Sequence, residues 1–205
     1  MKEIDFLLDG YAPYDALERK HIGQLRGFVE NTPDCYARVN DGRGVITASC
    51  LVVNEEMTKT LVMHHISLDF YKQFGGHADG NPDLAAVALQ ELKEESDLDG
   101  QLLSPRPVDF VVWNCPERVK KEAVIPAHLV YDVAFLMSVS ERAVPRVAAD
   151  EGFKIKWISL AQWRDMPFDG SNAVIRNNPH NRDYNRRTYQ KIIDFKERLS
   201  REKSR

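Results

Sequence analysis

Glu91, Glu94 and Glu95 stand at i, i+3 and i+4 within one stretch, GGHADGNPDLAAVALQELKEESDL, from Gly75 to Leu98. On a helix that spacing gathers all three carboxylates on one face. Like charges held so close repel one another and weaken an isolated helix. Two readings are open: a solvated acidic face, or a cluster built for a cation. A hard cation such as Mg²⁺ takes oxygen ligands and bridges protein carboxylates to substrate phosphates. The second reading draws on a tight turn of Gly75, Gly76 and Gly80, which leaves backbone carbonyls and amides bare enough to meet a ligand. It also draws on the scarcity of partners: Lys93 is the one lysine among these acids, so the i, i+4 pairs of a solvated face are missing.

The elements that must position this cluster can be read on either side of it. Asn81 is a good N-cap, Pro82 suits the first helical position, and Asp83 complements the helix dipole. Ala85, Ala88, Leu89 and Leu92 form an apolar stripe that can lie on a sheet, and a left-handed residue between Asp97 and Gly100 ends the helix. Upstream, Val45–Val53 reads as a buried strand, and a second strand from Thr60 to Met63 makes a hairpin with it, closed by His64 and His65. Leu68 to Phe74 leads into the glycines. Downstream, Val108–Cys115, His128–Val139 and Phe153–Ile158 read as strands, and Ser159 caps a short helix, LAQWRDM. Pro167 to Pro179 is loop-rich. Helices are expected over residues 13–30 and from Asp183 to Lys203. The organisation expected is an N-terminal helical extension over 1–44, a main domain over 45–179, and a C-terminal amphipathic helix and tail over 180–205. Strands on both sides of a central helix imply an α/β fold with a mixed sheet between helices.

At 205 residues the chain can build one sizeable core. A composition of 43% hydrophobic and 29% charged residues is that of a soluble globular protein. The net charge of −3 gives no global support to a nucleic-acid partner. Cys35, Cys50 and Cys115 are odd in number and form no CxxC, so they read as reduced thiols in a reducing compartment. MKEIDFLLDG does not look like a signal peptide, and no stretch is long enough for a membrane span. A cytoplasmic location is the expectation.

Gly76 through Leu98 resembles the Nudix box, GX5EX7REUXEEXGU with U aliphatic, of the Nudix hydrolase superfamily (MutT-like). Gly76, Glu91, Leu92, Glu94, Glu95 and Leu98 match it, and the resemblance extends over roughly residues 45 to 165. GGHADG with the later PAHLVYDV is similar to one branch of that superfamily. The fold it implies is a Nudix-type α/β/α sandwich with helical extensions at both ends. Three positions depart from the box: Pro82 replaces a glutamate, Gln90 an arginine, and Asp97 a glycine. In the family that arginine holds a neighbouring glutamate by a charged contact, and glutamine offers neither charge nor fork.

The resemblance implies metal-dependent hydrolysis of a diphosphate bond in a nucleoside diphosphate derivative, with Mg²⁺ or Mn²⁺. Glu91, Glu94 and Glu95 would be the metal ligands, with the Gly75 carbonyl as a backbone ligand. The general base would be a glutamate of the cluster, Glu94, or a loop residue outside it, Glu151. His77 and His128 could meet a phosphate or be structural. Trp113, Tyr131 and Phe135 could stack on a base or belong to the core. The alternatives are a non-catalytic Nudix domain that binds a nucleotide or protein, and a prenyl-diphosphate isomerase, which needs a cysteine beside the box. A homodimer is expected to be compatible with the terminal helices, which could form its interface or a lid.

Overall fold

The apolar run VITASCLVV forms β1, Val45–Val53, the strand about which the sheet is arranged. In the computed structural model, residues 3–39, 41–65, 70–120, 123–146, 153–166 and 181–203 are described. They form helices α1 (Glu3–Leu8), α2 (Ala16–Asn31), α3 (Leu84–Ser96), α4 (Leu160–Asp165) and α5 (Asn181–Lys203). The strands after β1 are β2 (Lys59–His65), β3 (Phe70–Lys72), β4 (Phe74–His77), β5 (Gln101–Leu102) and β6 (Asp109–Cys115). They are followed by β7 (Arg118–Lys120), β8 (Ala123–Ile125), β9 (His128–Ser138) and β10 (Phe153–Ser159). Among the described residues no helix is long and apolar enough to cross a membrane.

One edge of β1 pairs in parallel with β9 along its whole length, from Val45 opposite Val130 to Val53 opposite Ser138. Its other edge forks. Thr47 to Cys50 pair antiparallel with β4, whereas Val52 and Val53 pair with β2. Residues 70–77 enter that fork: β3 lies on β2, Gln73 marks the crossing, and β4 continues on β1. The other edge of β9 carries β6, and β10 lies outside β2.

Alternation along β1 sends Ile46, Ala48, Cys50 and Val52 into one core and Leu51 and Val53 into another. The first core is closed by α2 and α3 through Leu25, Phe28, Leu84, Val87, Ala88 and Leu92. The second is closed by α4 and α5 through Trp163, Tyr184, Ile192 and Phe195. Helices therefore cover both faces of a mixed sheet, and the α/β/α expectation holds. Buried ion pairs tie both ends of the chain to β6. Arg187 of α5 grips Asp109 with two bonds, at 2.8 and 2.9 Å, and Lys191 reaches both Asp109 and Glu18 of α2.

Several local expectations change. Gly75 and Gly76 are not in a turn; they belong to β4, where a Cβ at Gly75 would strike the backbone of β1 and one at Gly76 the Glu91 carboxylate of α3. The turn lies later, at Asp79 and Gly80, both with positive φ. The cap of α3 is Asp83, whose Oδ1 accepts from the Ala86 amide at 3.0 Å. Asn81 caps nothing in the helix and instead accepts from the Asp83 amide, so Pro82 precedes the first turn. The C-terminal end is as expected: Asp97 adopts φ 58 and its amide bonds Lys93 O. Ser159 forms a full capping box with Gln162. The helix α1 and the strands β3, β5, β7 and β8 were not expected; each is short and lacks a periodic signature. The loop from Pro167 to Pro179 and Glu151 lie outside the described residues, as do residues 66–69 of the approach to β3.

Candidate active site

The site is built where α3 runs beside β4. Ala88 is fully buried and Ala85 half-buried, so the helix backbone can come close to the sheet. Gly76 completes the approach: a Cβ there would lie 2.6 Å from Glu91 Oε2 and nearer still to Oε1. The Glu91 carboxylate is thus laid directly on a glycine of the strand. Burial there, then the charges of Glu95 and Glu94, push its carboxyl up to about 7, with Lys72 opposing the rise.

Glu95, one turn further, is held at both oxygens. The Gly75 amide donates to Oε2 at 2.9 Å, and Lys72 Nζ of β3 stands 3.3 Å from Oε1. Gly75 itself has φ +149, with Ala48 O and Ser49 Cα 2.6 Å from where a Cβ would stand. Only glycine can bring an amide to this carboxylate without strain.

Glu94 is placed differently. It is exposed and accepts a hydrogen bond from Gln90 Nε2 at 2.7 Å. It lies about 60° around the helix from Glu91, enough to turn it toward solvent. The three glutamates therefore share a side of the helix, but Glu91 and Glu95 face the strand and Glu94 does not. Among the described residues no three His, Cys, Asp or Glu side chains converge as a ready metal centre. The donors do fit a hard cation in kind: oxygen ligands, one of them reluctant to carry its charge without a positive partner. Glu91 and Glu95 would be its protein ligands, whereas Glu94, expected as a third, is turned to solvent.

The remaining candidates divide. His77 follows Gly76 on β4; burial first, then Arg38, lower its pKa to about 4, so it is neutral. His128 Nδ1 donates to Pro126 O at 2.8 Å. Phe135 is fully buried and Tyr131 stacks on Phe28 with centroids 4.6 Å apart, so both are core. Trp113 is half-buried and meets the edge of Tyr184 at 5.3 Å. Cys50 is fully buried, and burial raises its thiol pKa well above the usual range. It is a poor nucleophile there.

Sequence reasoning missed a polar group on the opposite face of the same strands. Asp132 of β9 is buried and accepts from Thr47 Oγ1 and Ser49 Oγ of β1 at 2.7 and 2.6 Å. Burial pushes its carboxyl up to about 6, although those hydroxyl bonds pull the other way. Gln73 donates to Ser49 Oγ at 2.6 Å and accepts from Tyr184 OH of α5 at 2.5 Å. The available signal was Asp132 itself, a lone carboxylate inside the apolar run HLVYDVAFLMS. Lys72, in FYKQF, carried the same kind of signal: a cation among aromatic residues on a strand.

No family model and no curated protein sequence matches this chain. Among solved structures, a NUDIX-family hydrolase from Clostridium perfringens is similar with a TM-score of 0.46, at 16% identity over 72% of this chain and 95% of that one. MutT, studied from the fish pathogen Aliivibrio salmonicida and from Vibrio cholerae, is similar with a TM-score of 0.37, at 12% identity over 58% of this chain and 83% of that one. What the site does has to be argued from its own geometry.

Proposed function

We propose that this protein is a Nudix-type pyrophosphohydrolase that cleaves the phosphoanhydride bond of a nucleoside diphosphate derivative with Mg²⁺ or Mn²⁺. The observation that carries the reading is the Glu91–Glu95 pair, seated against two glycines. One carboxyl is desolvated on Gly76, and the other is oriented by a backbone amide and a lysine. A solvated acidic face needs neither device. Such a pair favours a bound divalent cation, which would neutralise phosphate oxygens and lower the pKa of a bound water.

The chain's own residues would act as follows. Glu91 and Glu95 bind and orient through their carboxylates, the second kept in place by Lys72 and the Gly75 amide. Glu94, on the solvent side, or Glu151 takes a proton from the attacking water. The water oxygen forms a bond to one phosphorus, the bond from that phosphorus to the bridging oxygen breaks, and two phosphate products leave. The partner is a small molecule; a net charge of −3 does not favour a nucleic acid.

The uncharged Gln90 as the partner of Glu94 favours a second reading, a Nudix domain that binds its ligand without turnover. One experiment decides between them. The protein is incubated with Mg²⁺ or Mn²⁺ and a panel of nucleoside diphosphate derivatives, and products are followed by ³¹P NMR. Turnover that vanishes in Glu95→Gln, with an unchanged circular dichroism spectrum, supports the hydrolase. Tight nucleotide binding with no metal-dependent turnover overturns it.

A further inference from the structure

We propose that Lys72 is the positioning residue for Glu95, holding its carboxylate from a neighbouring strand. The inference rests on the metal-site reading above and deepens it. Within α3 the side chains that could orient Glu95 are otherwise engaged. Gln90 bonds Glu94 at 2.7 Å and carries no charge. Lys93 turns toward the helix end, to Asp97 and Asp99 at 3.1 and 3.2 Å. Lys72 comes instead from β3, with Nζ 3.3 Å from Glu95 Oε1.

The geometry makes this more than a surface pair. Lys72 lies opposite Met63 of the α3-side core, and the strand's alternation aims it at α3 along with Phe74. The Lys72 and Glu95 side chains are only 30% and 17% exposed. The other oxygen of Glu95 is taken by the Gly75 amide, three residues further along the chain on β4. The segment from β3 into β4 thus grips both oxygens, the first with a charge and the second with a fixed backbone donor. A carboxylate held at two points has little rotational freedom left, so it presents its remaining lone pairs in a set direction. Lys72 also acts on Glu91, where it opposes the rise in pKa.

The test uses the full chain and Lys72→Met, Lys72→Gln and Lys72→Arg. Mn²⁺ affinity is measured by electron paramagnetic resonance without substrate, beside kcat and KM on whatever the panel yields. Removing a cation from an acidic cluster should by simple electrostatics tighten Mn²⁺ binding. If Lys72 positions Glu95, the sign reverses. Mn²⁺ then binds several-fold more weakly in Lys72→Met and Lys72→Gln, kcat falls on the order of tenfold with KM nearly unchanged, and Lys72→Arg restores both. Tighter Mn²⁺ binding in Lys72→Met overturns the proposal and leaves Lys72 as a counter-charge. A raised KM with kcat intact also overturns it and makes Lys72 a substrate contact. Weakened Mn²⁺ binding in a protein that hydrolyses nothing in the panel upholds Lys72 as a positioning residue and sinks the hydrolase reading alone. A wild-type protein that binds no Mn²⁺ sinks both.

Discussion

Gly76→Ala separates the site from the fold. Gly76 sits in a strand at negative φ, so alanine adds no backbone strain. The three nearest atoms to its added Cβ all belong to the Glu91 carboxylate, with Oε2 at 2.6 Å. Ordinary contact begins near 3.4 Å, so that carboxylate must retreat by about 1 Å. Displacement of a reacting group or its ligand by about 1 Å can cost roughly 100-fold in rate. Glu91 is half-buried at the rim and can swing outward, which keeps the loss of stability within about 1 kcal/mol. Gly75→Ala is the contrasting control. Its Cβ would meet Ala48 O and Ser49 Cα at 2.6 Å, atoms that cannot swing away, at a φ of +149. Strain and clash together should remove about 3 kcal/mol or more, roughly 6–12 °C in Tm for a chain of this size. The assays are thermal melting, Mn²⁺ binding and initial rates on both variants. Gly76→Ala with wild-type Mn²⁺ affinity and rate would refute the argument that Glu91 is a ligand seated on this glycine. A Gly76→Ala protein as unstable as Gly75→Ala would refute the packing argument.

Arg187→Met removes one partner of the buried Asp109 and should cost about 3–5 kcal/mol in urea unfolding, whereas Arg201→Ala at the exposed Glu197 pair should cost less than about 0.5 kcal/mol. For Asp132, the folded carboxyl near 6 binds its proton more tightly than the unfolded one at 3.8, so the contribution favours the fold at low pH and fades as pH rises between those values. Wild-type stability should therefore fall by on the order of 2–3 kcal/mol relative to Asp132→Asn across that window, and parallel stability curves would sink the assignment. At Glu91, a proton held up to about 7 competes with a cation, so Mn²⁺ affinity by calorimetry should rise as pH passes through neutrality. A flat affinity profile would remove Glu91 from the ligand set.

What could be read along the chain was whatever its local chemistry determines. The start and end of α3 lie within two residues of expectation because Asn81, Asp83 and Asp97 act on their own neighbours. The cap at Ser159 was legible for the same reason. The error at Gly75 and Gly76 has the opposite origin. Two glycines favour a turn locally, but here they answer to a helix fifteen and more residues away, whose Glu91 and Glu95 need the missing Cβ and the bare amide. Periodicity put Glu91, Glu94 and Glu95 on one face. It could not say that Glu94, 60° aside, would find Gln90 rather than the strand. Asp132 and Lys72 stood out chemically, yet their partners at Thr47, Ser49 and Glu95 depend on pairing between distant strands.

The fork in the sheet explains why those partners meet where they do. Because residues 70–77 cross from β2 to β1, their alternating side chains serve opposite layers within a few residues. Lys72 and Phe74 face α3, and Tyr71 and Gln73 face the α4–α5 layer. At the crossing the strand has left one neighbour and only begun to pair with the next, so fewer ladder bonds hold it than hold a continuous strand. Side chains supply the difference: Tyr184 and Ser49 hold Gln73 from one face, and Glu95 holds Lys72 and the Gly75 amide from the other. The carboxylate that would bind the cation is therefore also one of the clamps that keep the strand in the fork. That dual duty accounts for a half-buried lysine at the rim of an acidic cluster, where charge neutralisation alone would be served as well by an exposed one.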